Sequence, residues 1–256
     1  MENRRLNSLL YTERSLHPNT PRTAMEIIQS QPTTVPFTER TIADLVSEDF
    51  RRGIVFKQFG IDFCCGGGKS VADACAAKGI APETLLQALV SAHPSAGRSV
   101  PSQAGSWSPA FLADYIVNEH HSWVRERIPV LKAFTKRVAA VHGHHYAELA
   151  EIRDVFADLA DELEAHMEDE EQRVFPLVSR GDAAGTLPGL IEELVAEHES
   201  VGGAMARLRA LTNDYTPPEG ACNTFRAAYA GLEDFEEDLH AHVHLENNVL
   251  FKRVLA

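Results

Sequence analysis

From residue 108 onward, apolar positions recur in alternating steps of three and four, the spacing that gives a helix one buried stripe. The pattern predicts four long helices. Helix A opens at Ser108-Pro109, an N-cap followed by proline in the first turn, and runs to about Ala140. Helix B covers about 144–179 and helix C about Thr186 to Asn213. Helix D follows Pro217-Pro218 to the C-terminus, and Pro129 and Pro176 predict kinks in helices A and B. Upstream, TIADLVSEDFRRGIVFKQFGIDF puts Ile42, Leu45, Val46, Phe50, Ile54, Val55 and Phe59 at helical spacing until CCGGG breaks it. Ser70 and Gly79 are the expected caps of SVADACAAKG, and Pro82 opens a last short helix ending near Ala92. Strand signals are hard to find. The expected fold is therefore all-α: a four-helix bundle over 108–256 and a small helical N-terminal domain over 39–92, too small to bury much by itself. Residues 1–38, with Pro18, Pro21, Pro32 and Pro36, read as a disordered extension. Residues 93–107, HPSAGRSVPSQAGSW, read as a linker that lets the small domain move.

The stripes are interrupted in a regular way. Helix D gives Phe225, Ala228, Leu232, Phe235, Leu239, His242, Glu246 and Val249. Helix B gives Leu149, Ile152, Phe156, Leu159, Leu163, His166, Glu170, Val174 and Leu177. Both place a His-x-x-x-Glu pair where two apolar residues belong, and that spacing puts both side chains on one face. Helix C carries His198 between Leu194 and Val201. Helix A allows two frames: Val117, His121, Val124, Ile128, Leu131 and Val138, or Ile116, His120, Trp123, Val130 and Phe134 with Arg127 interrupting.

Burying unpaired ionisable groups costs several kcal/mol each unless they are neutralised or coordinated. A metal answers that cost for all of them at once. Imidazole with carboxylate suits iron or manganese, and the lack of thiolate on the stripes argues against structural zinc. Six protein ligands are too many for one open metal and suit two metals bridged by the two carboxylates. His17, His93, His240 and His244 read as ordinary surface or hydrogen-bonded histidines. His142, His144 and His145 fall in a loop with Gly143. Cys64 and Cys65, followed by three glycines, read either as an exposed, mobile loop suited to iron transfer or thiol redox chemistry or as a helix-terminating turn with buried cysteines. Cys75 and Cys222 read as small helix residues, and GGGK lacks the strand and spacing of a phosphate loop.

Composition narrows the function class. The net charge of -13 argues against a nucleic-acid partner. Four cysteines in 256 residues do not make a disulfide scaffold. The first twenty residues hold no apolar stretch of leader length, and no later run is long enough to span a bilayer, so a cytoplasmic location without a membrane partner is expected.

EHHSWVRERIP, EAHMEDEEQRVFPLV, AEHESVG and HAHVHLENNVLF resemble the helices of the iron–sulfur cluster repair di-iron proteins, the RIC or ScdA/YtfE family. FKQFGIDFCCGGGKSVADACAAKG resembles that family's ScdA-type N-terminal domain. The resemblance covers about 40–256. It implies a hemerythrin-like bundle with two non-haem irons per chain, oxo- and carboxylate-bridged. By motif, the ligands are His121, His166, Glu170, His198, His242 and Glu246; the histidine followed four later by arginine favours His121, with Arg125, over His120. Two histidines and two bridging carboxylate oxygens per iron, with an oxo bridge, leave an open position on each metal for dioxygen or nitric oxide. The family function is repair of clusters damaged by nitrosative or oxidative stress, by supplying iron, with damaged iron–sulfur proteins as partners. A nitric oxide reductase and an oxygen- or nitric-oxide-binding sensor are the alternatives. Whether the chain turns over a substrate as an enzyme, and whether it forms a homodimer, the sequence leaves open.

Overall fold

The computed structural model describes residues 35–50, 52–91, 100–101, 103–181 and 185–256. Residues 1–34 of the expected N-terminal extension, and 93–99 and 102 of the expected linker, lie outside these residues. Four short helices come first: α1 (Ile42–Glu48), α2 (Arg52–Gln58), α3 (Val71–Lys78) and α4 (Pro82–Ser91). The side chains of Thr41 and Ser70 accept hydrogen bonds from Asp44 N and Asp73 N, capping α1 and α3. Gly79 ends α3 in the left-handed conformation, φ 67°, the conformation glycine adopts without a Cβ penalty.

The bundle helices are long and each is built in pieces. Helix α5 runs as Pro109–Tyr115, a π turn Ile116–His121, and Ser122–His142. Helix α6 runs as Glu148–Asp169, a π turn Glu170–Val174, and Phe175–Arg180. Helix α7 is Leu187–Leu211 without interruption, and α8 runs as Asn223–His244, a π turn Leu245–Leu250, and Phe251–Val254. Ser108 caps α5 by accepting from Phe111 N. Helix α5 packs on α6 and α8, and α6 packs on α7. Isolated bridge Thr41–Ser70 aside, no extended pairing occurs among the described residues. No helix among them is long and apolar enough to cross a membrane.

Three apolar clusters result. One fills the bundle from Val124, Ile128 and Leu131 through Phe156, Leu163 and Met205 to Phe235 and Leu239. A second lies beyond the polar positions and joins Leu112, Ile116, Val174, Phe175, Ile191, Leu194, Leu250 and Phe251. Ala104 belongs to this second cluster and Trp107 packs against it, so the C-terminal end of the expected linker is fixed to the bundle. The third is the small domain's own core, Ile42, Val46, Phe56, Phe63, Val71 and Leu85, with Phe37 against it.

That third core also contains Val243 of α8. The small domain is docked on the bundle, where the sequence predicts a movable unit. Asn248 Nδ2 donates to Cys64 O at 3.0 Å, Lys57 Nζ lies 2.8 Å from Glu236 Oε2, and Ser47 Oγ is 3.4 Å from His244 Nε2. A domain of this size cannot bury enough apolar surface alone, and α8 supplies the missing wall.

Gly67 sits where the cysteine loop meets α8. A Cβ there would lie 2.5 Å from Phe63 O and 3.0 Å from Ala43 Cβ, whereas a Cβ at Gly68 would meet nothing within 4 Å. Gly67→Ala is therefore expected to lower stability by about 1–3 kcal/mol through overpacking, with Gly68→Ala close to neutral. Urea denaturation of the two variants checks this; equal midpoints would show that the loop does not depend on that close approach.

Candidate metal centre

The three π turns fall on the polar positions. His121 is the last residue of the first, Glu170 opens the second and Glu246 lies in the third. A π turn inserts one residue into the 3.6-residue repeat and shifts the stripe beyond it, a device often found at functional sites. This explains the two frames of helix A. Ile116 of one frame is buried where the turn begins, His121 of the other is buried where it ends, and Val124, Ile128 and Leu131 are buried after it. It also corrects helix B: beyond its π turn Phe175 and Val178 are buried, and Leu177, the expected stripe residue, is only half-buried. Pro176 stands in the first turn after this π segment, where its missing N–H leaves an upstream carbonyl free of the regular pattern.

The structure brings the six residues into one layer between the two bundle cores. His121, Glu170, His198, His242 and Glu246 are at most 1% exposed, and His166 is 5% exposed. Their ligand-type atoms form two overlapping quartets: His121, Glu170, His242 and Glu246; and His166, Glu170, His198 and Glu246, each within 4.8 Å. Glu170 and Glu246 belong to both. Glu170 Oε2 lies 3.3 Å from His121 Nε2 and 3.4 Å from His166 Nε2. Glu246 divides its oxygens: Oε1 is 2.8 Å from His242 Nε2, and Oε2 is 3.3 Å from His198 Nε2.

The imidazoles are held from behind. His121 Nδ1 is 2.7 Å from Glu171 Oε1, and His166 Nδ1 is 2.6 Å from Glu197 Oε2. His198 Nδ1 is 2.8 Å from Asn247 Oδ1. Carboxylate and amide oxygens only accept, so these Nδ1 atoms donate and the Nε2 lone pairs point at the quartets. Nε2 atoms then approach as pairs: 3.0 Å between His121 and His242, and 3.0 Å between His166 and His198. Both oxygens of Glu170 and Oε2 of Glu246 are buried without a hydrogen-bond partner. Converging lone pairs around two buried carboxylates call for cations, so the donor set fits a metal in each quartet. Without one, the carboxylates recruit protons. Burial opposes charge on His121, but Glu170 and Glu246 outweigh it and push its pKa up to about 10. His198 is likewise opposed by burial and pushed up to about 9, chiefly by Glu246.

The other histidines go elsewhere. His120 is buried with Nδ1 3.2 Å from Asp238 Oδ1, its ring stacked on His242 at 5.5 Å. His142 Nε2 meets Cys222 Sγ at 3.3 Å, and the rings of His144 and His145 lie 4.0 Å apart; none of the three joins a candidate metal group among the described residues. Cys222 is the exposed N-cap of α8 rather than a residue inside a helix. His240 and His244 turn from the quartets toward the small domain and pack on Phe63 at 5.3 and 6.3 Å. Burial lowers both to about 4, so both are neutral at pH 7.

Of the two forms expected for the cysteine loop, the burial fits the helix-terminating turn and not the exposed loop. Cys64 is buried and Cys65 half-buried. Asp62 Oδ1 accepts from Cys64 N and Cys65 N at 3.0 Å each, and Oδ2 accepts from Gly66 N at 2.9 Å. The two Sγ atoms are 3.8 Å apart, and Cys65 Sγ donates to His198 O at 3.3 Å. Neighbouring Cys65 and burial push the Cys64 thiol up, so it stays protonated at neutral pH unless a cation displaces the proton. Asp62, Cys64 and Cys65 form a third group able to hold a metal. Sequence reading missed Asp62, Glu171, Glu197, Asn247 and Asn248. The only signal was adjacency: Glu171, Glu197 and Asn247 each neighbour a stripe ligand in sequence. Beside His166, a cleft of about 530 Å³ is lined by Glu162, Asp169, Glu193, Glu197 and Arg173 among others.

Comparison with known proteins agrees with this layout. Residues 112–254 match the Hemerythrin HHE cation binding domain, and residues 38–93 match ScdA_N, described as a domain of unknown function. The iron-sulfur cluster repair protein ScdA of Staphylococcus haemolyticus is 33% identical over 218 residues, covering 84% of this chain and 97% of that protein. The iron-sulfur cluster repair protein YtfE of Yersinia pseudotuberculosis is 35% identical over 204 residues, covering 78% and 90%. With a cation-binding bundle over most of its length and such relatives aligned along nearly all of theirs, the chain belongs to the ScdA/YtfE family of iron–sulfur cluster repair proteins.

Proposed function

We propose that this protein repairs damaged iron–sulfur clusters of cytoplasmic proteins by supplying iron. The observation that carries the reading is the docking of a dithiol against the backbone of a metal-type ligand: Cys65 Sγ on His198 O. A carrier or sensor of dioxygen or nitric oxide has no use for that contact. In this reading His121, His166, His198 and His242, with Glu170 and Glu246 shared between the quartets, would hold two non-haem irons. Bound iron supplies redox-active, exchangeable metal.

The chain's own residues do the rest. Glu171, Glu197 and Asn247 fix three imidazoles with Nε2 inward. Glu197 is half exposed at the acidic cleft, its side chain 54% accessible, so it joins His166 to solvent and offers an oxygen to a departing cation. Cys64, Cys65 and Asp62 offer two sulfurs and a carboxylate on the His198 side, where a ferrous ion in transit would find softer ligands.

Protein purified without chelator is expected to hold about two irons per chain by elemental analysis, as two quartets require. His242→Ala or Glu246→Ala should lose most of that iron, while His240→Ala, which faces the small domain, should keep it. Stripping by His240→Ala equal to that of His242→Ala would sink the assignment.

A Cys64→Ser, Cys65→Ser double variant should keep its iron and its near-ultraviolet spectrum but rebuild the cluster of a damaged dehydratase more slowly under anaerobic conditions. Unchanged repair would remove the thiols from the pathway, and lost iron would make them part of the centre.

A further inference from the structure

A cleft of about 620 Å³ opens between the small domain and α7, and Cys65 stands in its wall. Three glycines line it without any conformational need for glycine. Gly68, Gly202 and Gly203 are absent from the positions with φ above zero. A Cβ at Gly68 or Gly203 would meet nothing within 4 Å, and one at Gly202 would meet only Cys65 Sγ at 3.7 Å. Gly202 and Gly203 lie inside the 25-residue helix α7, where glycine is the poorest helix former after proline. Larger residues would fit and would favour the helix, yet the space is kept open. Its size is that of a small-molecule site.

The wall selects the occupant. Lys57, Lys69 and Arg209 line it together with Asp62, Glu199 and Glu236, three cations and three carboxylates. Lys57 and Arg209 are already paired with Glu236, and Asp62 already accepts from three backbone N–H groups, so Lys69 and Glu199 are the cation and carboxylate left for a ligand. A polyanion such as a nucleotide would face those three carboxylates, and a long hydrocarbon would face all six charges. A molecule carrying both an ammonium and a carboxylate matches both signs, and the bare glycine surface leaves room for a small peptide. We infer that the cleft binds a low-molecular-weight zwitterionic thiol, cysteine itself or a small cysteine-containing peptide, with its sulfur next to Cys65. Its binding stands on the cleft alone. Its role, as the carrier that takes iron from Asp62, Cys64 and Cys65, rests on the iron-supply reading above.

Calorimetric titration of the full-length, iron-loaded, reduced protein tests this. Reduced glutathione should bind with a dissociation constant near or below about 1 mM. S-methylglutathione, which keeps the charges and loses the thiol, should bind several-fold more weakly. Gly203→Leu fills the cleft with a stronger helix former on an exposed position, so the variant should fold, keep its iron and lose glutathione binding by at least about tenfold. No binding at about 10 mM, equal affinity in Gly203→Leu, or equal affinity for the S-methyl form would each overturn the inference. Iron content of the parent protein is read in the same preparation. Absence of iron there would strike the dinuclear reading and leave the binding result to stand or fall by itself.

Discussion

Four imidazoles and two carboxylates occupy a layer between two apolar cores, and nearly every other feature of the bundle follows from the need to satisfy them. Below the layer the helices pack through residues such as Phe156, Leu163 and Phe235; above it through Ile116, Phe175 and Phe251. Water has little access, since five of the six side chains are at most 1% exposed. Charge in such a place is tolerated only when it is balanced within a few ångströms. The two glutamates therefore set the terms: each faces imidazoles of both quartets, and the four histidines exist to surround them. The outer carboxylates of Glu171 and Glu197 extend the same balance to the surface.

The bundle reaches this arrangement by departing from regular helix. A ladder of uninterrupted α-turns keeps every core position at one radius. The π turns in α5, α6 and α8 change the phase of each stripe at the level of the layer. Apolar residues then resume in a new register beyond it. Helix α7 brings its single histidine, His198, to the layer without such a turn. The cost of the weaker backbone geometry is local, and the two apolar cores on either side hold it in place.

How much of this could be read from the residues depended on their surroundings. The pairs on α6 and α8 were legible because each stands in a long apolar stripe that fixes its phase. His121 could not be separated from His120 by periodicity, because the stripe of α5 changes phase at that point and both frames are half right. Leu177 was mistaken for a stripe residue for the same reason. Glu171, Glu197 and Asn247 look like any polar residue on a helix, and only the fold shows that they stand behind imidazoles. Asp62 was invisible because its task is to gather three backbone N–H groups, which leaves no periodic trace. The docking of the small domain was hidden by its linker composition and by the reading of His240 and His244 as ordinary histidines.

Helix α8 has an unusual stretch: Ala241, His242, Val243, His244, Leu245 and Glu246 are all buried. A helix in a two-layer protein normally keeps one side for water. Here His242, Leu245 and Glu246 face into the bundle while Val243 and His244 face the cysteine-bearing domain, so the stretch has no solvent side. The two modules are therefore one heritable unit at this point. Exchanging the N-terminal domain between relatives, or building a bundle that lives without it, would mean rewriting the outward face of α8, Val243, His244 and Asn248, with residues suited to water while leaving His242, Leu245 and Glu246 untouched. Even neighbours in the chain answer to different halves: Asn247 serves a ligand of the bundle, and Asn248 serves the cysteine loop.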